Sequence, residues 1–104
     1  MIRIREMEQH LDQATAAANQ LEAALEAYKS AQPSIDMLAA YLGSDDWRKD
    51  LADDERGLLP ADLKRGVLSE DGIWNLLERN RELLEEMQQL STQLLQNPDK
   101  THFH

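Results

Sequence analysis

Cysteine is absent from the 104 residues; glycine occurs four times, proline three times and phenylalanine once. Without cysteine there is no disulfide, no thiolate nucleophile and no cysteine-ligated zinc, and the composition fits a reducing cytoplasm. So little glycine and proline argues against low-complexity disorder. No apolar run approaches the roughly 18 residues that a membrane span needs. The opening MIRIREMEQH alternates apolar with charged residues, so it is not expected to act as a signal peptide. Positive charge is scarce too, with 11 lysines and arginines against 20 aspartates and glutamates and a formal charge of -9. Such a surface repels phosphates, so general nucleic-acid binding is not expected, whereas basic proteins would be drawn to it.

What is present is helical. Ile4, Met7, Leu11, Ala14, Ala18, Leu21, Leu25 and Tyr28 recur in steps of three and four, which places them on one stripe of a helix. Alanine fills the middle of that stripe, giving high helix propensity and room for a close neighbour. About 28 residues make a rod of about 42 Å, which calls for a long partner. A second rod starts at Ser69, a good N-cap followed by Glu70 and Asp71 at the positive end of the helix dipole. Its stripe runs through Ile73, Leu76, Asn80, Leu83, Met87, Leu90 and Leu94, and Asn97-Pro98 should end it. Asn80 either pairs within the stripe and fixes register, or lies at the edge of the core.

Between the rods, Pro33 is placed in the first turn of a short helix through Leu42, stopped by Gly43. Ser44 caps a second short helix, with Trp47 and Leu51 on one face and Gly57 after its end. Pro60 is expected to open a single turn through Leu63. No apolar–polar alternation persists, so no strand is expected. The fold class is all-α: an antiparallel helical bundle of two long helices plus two short helices in the connecting segment. Residues 1–97 form one domain and 98–104 a flexible tail.

The stretch DLKRGVLSEDGIWNLLERN, from Asp62 to Asn80, is the most unusual part of the chain. Structurally, Gly66 suits a turn that needs positive φ, and Leu68 with Ile73 suits a hydrophobic staple. Gly72 costs a helix about 1 kcal/mol relative to alanine, so another helix or the Trp47 ring should pass close to it. Functionally, Lys64 and Arg65 precede a helix N-terminus, but Glu70 and Asp71 would repel a phosphate there. A protein-docking surface formed by Asp62, Lys64, Arg65, Glu70, Asp71 and Trp74 fits better. Charge reversal at Lys64 and Arg65 is then expected to abolish partner binding without loss of stability.

Tyr41-Leu42-Gly43-Ser44 with Trp47, Leu59-Pro60, and the run from Asp62 to Leu77 with the signature LKRGVLSEDGIWNLL carry a resemblance. The chain, from the first helix to about Leu95, resembles a small bacterial family catalogued only as a domain of unknown function. The resemblance implies a short, acidic, helical protein and assigns no catalytic residue. The tail Lys100 to His104 lies outside the pattern, and Trp74 stands where the family more often has tyrosine, which keeps an aromatic.

Other chemistries find little support. The acidic run SDDWRKDLADDE fails as a calcium loop, because Asp50 stands at the sixth position from Asp45, where glycine is required. A solvated face or a dock for a basic partner, using Asp45, Asp46, Asp53 and Asp54, is the reading kept. A di-iron bundle needs Glu-x-x-His pairs, and none occurs. Outside the tail the only histidine is His10, and the serines sit at caps or on helix surfaces, so no nucleophilic site is expected. Acidic polar faces do not suit a lipid surface. No cofactor, metal or enzymatic activity is expected. Two uses remain: a cytoplasmic protein–protein interaction module, adaptor or assembly factor, with a homodimer through the long helices as one form; or an acidic inhibitor of antitoxin or immunity type that masks a basic active site.

Overall fold

A computed structural model describes residues 2–96, with the backbone alone for Glu70. The tail expected at 98–104, and Asn97-Pro98 as a helix stop, lie outside the described residues. Among the described residues three α-helices follow in order: α1 (Ile2–Tyr41), α2 (Asp45–Glu55) and α3 (Glu70–Leu95), with one 3₁₀ turn at Gly66–Leu68 before α3. Among the described residues there is no strand, and no helix is long and apolar enough to cross a membrane. By its internal contacts the chain divides into a unit up to Asp36 and a unit from Met37.

The first unit is helical throughout its described length, and the apolar stripe runs along it without cover. Residues 2–27 are all exposed; burial begins at Tyr28 and becomes complete at Ile35. The apolar face expected to be hidden from water is thus exposed along this unit. Periodicity specifies which face of a helix is apolar; it does not say what lies over that face.

Pro33 does not open a separate helix as expected; it lies inside α1. A proline ring already holds φ near the helical value, so a preformed helix can run through it at the loss of one N–H donor to the Lys29 carbonyl. The turn before it is tied locally, with the Gln32 side chain donating to the Tyr28 carbonyl at 3.1 Å. The connecting segment consequently holds one short helix and a 3₁₀ turn, where two short helices were expected.

In the second unit the punctuation is local and follows from residue type. Gly43, at φ 77°, ends α1 in a left-handed conformation that side chains other than glycine rarely adopt. Ser44 then caps α2: its backbone is extended, and its hydroxyl accepts from the Trp47 N–H at 3.1 Å while donating to the Tyr41 carbonyl at 2.6 Å. At the other end Gly57, at φ 71°, completes a Schellman motif: its N–H bonds the Asp54 carbonyl, and the Leu58 N–H bonds that of Asp53, both at 3.0 Å. The Leu63 N–H closes the expected single turn on the Pro60 carbonyl at 3.2 Å. The 3₁₀ turn packs on both α2 and α3. Leu68 and Ile73 are the buried centre of this unit, with Leu38, Leu42, Trp47, Leu51 and Leu76 half-buried around them.

Candidate interaction surfaces

The corner between α2 and α3 is held by two long-range side-chain bonds. The Trp47 indole N–H donates to the Val67 carbonyl at 3.0 Å, fixing α2 to the 3₁₀ turn. Arg65 gathers the loop. Its Nε donates to the Asp54 carboxylate at 2.6 Å, and its other nitrogens donate to the carbonyls of Pro60 (2.8 Å), Leu63 (2.7 Å) and Ala61 (3.3 Å). Asp54 lies near the C-terminal end of α2, where an unpaired carboxylate would meet the negative end of the helix dipole. Arg65 relieves that conflict and closes the loop in one interaction.

This corrects the expectation for the basic pair. Lys64 is exposed, whereas Arg65 is committed within the fold, so reversing both charges would unsettle the corner as well as change its surface. The glycines are corrected too. Gly66 does not take a positive φ and opens the 3₁₀ turn instead. A Cβ on Gly72 would stand 2.7 Å from the Gly66 carbonyl oxygen; the close neighbour is that backbone, where another helix or the Trp47 ring was expected. Ser69 sits at the start of α3 as expected, but its hydroxyl makes no capping bond; its backbone N–H bonds the Gly66 carbonyl at 3.3 Å. Local sequence places such a cap, but a 3₁₀ turn folded against it decides whether the hydroxyl is needed.

Beside this corner lies an open, mainly apolar groove of about 330 Å³, lined by Leu38, Lys64, Gly66, Val67, Gly72, Ile73 and Leu76. Among the described residues, Lys64 is the one charged residue in that lining. Asp62, Asp71 and Trp74 are all exposed, Trp74 by half, whereas the Glu70 side chain lies outside what is described. The structure thus brings Lys64 onto a groove and ties the half-buried Arg65 to Asp54 and the loop carbonyls.

The acidic residues of α2 do not form one cluster. Asp45 and Asp46 stand exposed in its first turn, with Asp45 paired to Arg48 at 3.3 Å. Asp53 and Asp54 are half-buried about two turns further on, and Asp54 is neutralised by Arg65. Between them, Asp50 accepts from the Tyr41 hydroxyl at 2.7 Å. That bond holds the phenol in its neutral form: the Tyr41 pKa is pushed up to about 12, first by the hydrogen bond to Asp50, then by desolvation and the negative charges of Asp50 and Asp46. Sequence reasoning missed this pair, since nine residues separate the two and only the Gly43 turn brings them together. Among the described residues, no group of three or more histidines, aspartates or glutamates could hold a metal ion.

An apolar stripe also lies exposed along α1. Ile4, Met7, Leu11, Leu21 and Leu25 are between 44 % and 64 % exposed. On α3, Leu84, Leu90 and Leu94 are also exposed, while Leu83 and Met87 are half-buried. Asn80, uncertain between core and edge, is half-buried, and no described buried side-chain polar atom lacks a partner. The outer face of α3 carries a ladder in which Arg81 donates to Glu78 at 2.9 Å and to Glu85 at 2.8 Å. The Arg81 guanidinium holds the Glu78 carboxyl below its usual range. Isolated apolar residues on a surface are ordinary; here several exposed ones share one face of one helix.

Residues 4–90 match the family described as Domain of unknown function (DUF4298), and the chain belongs to that family. No curated protein and no solved structure matches the chain.

Proposed function

We propose that this member of the family is a non-enzymatic protein–protein interaction module, a small cytoplasmic adaptor or assembly factor whose working surface is the open stripe of α1. The observation that carries this reading is the exposure of Ile4, Met7, Leu11, Leu21 and Leu25 along a single helix face. An amphipathic helix laid against another protein uses such anchors at steps of three and four. Lys64, which lines the groove of the second unit, and the exposed Trp74 supply a second contact of mixed character. In that unit we take the last turn of α1 and the start of α3 to be antiparallel neighbours in a small bundle, since Leu38 and Leu76 line the same groove.

The test is affinity purification with mass spectrometry, comparing the full chain with a Leu11→Glu/Leu21→Glu variant. Both residues are exposed, so the variant is expected to keep its helicity and melting temperature while losing the partners of the native chain. A variant that retains every partner at the same salt would end this reading.

The charge supports a second use. With a formal charge of -9 and Asp45 and Asp46 exposed, the chain suits an acidic inhibitor that covers a basic active site. Asp45→Asn/Asp46→Asn/Asp53→Asn tests it. Asp54 is left intact, because it holds Arg65. Unchanged inhibition of the target by the triple variant at the same ionic strength would exclude charge mimicry.

A further inference from the structure

We propose that the open stripe of α1 pairs with the same stripe of a second copy of this chain, in parallel and in register, as a two-stranded coiled coil from Ile4 to Leu25. This rests on the interaction-module reading and names the partner. The stripe is heptad-like: Ile4, Leu11, Ala18 and Leu25 fall at the a positions, Met7, Ala14 and Leu21 at d. All seven are exposed in the single chain.

The flanking charges choose the partner and its direction. Arg3 falls at a g position and Glu8 at the following e. In a parallel, in-register pair, g of one helix faces that e of the other, so two Arg3–Glu8 attractions form, one on each side. The later g–e pairs are His10 with Thr15 and Ala17 with Glu22, and neither sets like charges together. The fully overlapped antiparallel pair places Met7 on Leu25 and Leu11 on Leu21, and its e positions bring Glu8 against Glu22 twice, toward the two ends of one flank. Like charges there oppose that arrangement. Ala14 and Ala18 form two small layers in the middle, so the larger residues toward each end carry the contact.

The absence of cysteine makes a clean test available. A full-length Met7→Cys variant, held in a glutathione redox buffer, is expected to link to itself and double its mass, because identical d positions face each other in a parallel pair. Linkage seen only in a mixture of Met7→Cys and Leu25→Cys chains overturns the parallel register. Sedimentation equilibrium supplies the second arm. Arg3→Glu or Glu8→Arg alone should weaken association roughly three- to tenfold, through two exposed pairs per dimer, and the double swap should restore it. A chain that stays monomeric throughout, or a double swap no better than either single variant, overturns the proposal. A monomer that still loses its partners on Leu11→Glu/Leu21→Glu ends the self-pairing and leaves the module reading standing. A pair that forms while those partners are unaffected does the reverse.

Discussion

Arg65 and Lys64 are neighbours with the same charge and opposite roles. Arg65 spends its guanidinium on Asp54 and three loop carbonyls, and it is shielded enough that solvent screening does not erase the contribution. Arg65→Ala is expected to cost about 1 to 2 kcal/mol of unfolding free energy, the range for charge-assisted bonds discounted for partial exposure. Lys64→Ala should fall within about 0.5 kcal/mol of the native chain, as for an ordinary surface change. Urea denaturation of the two variants side by side checks the contrast; equal losses would contradict it. Tyr41 gives a pH signature. The folded phenol holds its proton more tightly than in the unfolded chain, where tyrosine titrates near 10, so the contribution is whole below about pH 10. It is lost as pH climbs through about 12, where the folded phenol ionises. Tyr41→Phe should lower stability near neutrality and remove the Tyr41-linked part of the loss between those values. Ultraviolet titration of tyrosinate should lose its late step in that variant.

At the level of elements, the turn chemistry was legible and the long-range chemistry was not. Gly43, Ser44 and Gly57 act on residues within a turn of themselves, so residue type and spacing placed the stop at Gly43 and both ends of α2, although the first rod was expected to end before Pro33. The Gly66 carbonyl beneath Gly72, and Tyr41 on Asp50, depend on how the chain folds back, which no local pattern encodes. The candidate corner was found from its composition, yet its two cations could not be sorted into structural and free without knowing that Asp54 lies in reach. Pro33 shows the same limit. Alone it signals a helix start, but α1 upstream supplies a preformed helix that runs through it. Pro33→Ala would restore the donor to the Lys29 carbonyl and relieve the ring, and is expected to stabilise α1 by about 1 to 3 kcal/mol. Raised helicity in circular dichroism and a later thermal transition would show it. A loss of stability would mean that the proline conformation is used elsewhere in the fold.

For the molecule as a whole, one quantity separates the two uses of the surface, and it is the response to salt. Two copies of a chain carrying -9 repel one another at long range, and that repulsion opposes self-pairing. Raising ionic strength from about 0.01 M to about 0.15 M shortens the screening length from about 30 Å to about 8 Å. The spread-out repulsion is then removed, while the apolar contact of the stripes, which needs no charge, stays. The two Arg3–Glu8 pairs are screened as well, but they are few against the net charge of both chains. Self-association is therefore expected to tighten with salt over this range. A complex between this acidic chain and a basic target must weaken over the same range, because its attraction is the part that screening removes. Sedimentation equilibrium of the chain alone, and a binding titration with any partner recovered, give the two slopes. A pair that dissociates as salt rises would show that charge, and not the Ile4–Leu25 seam, holds it together.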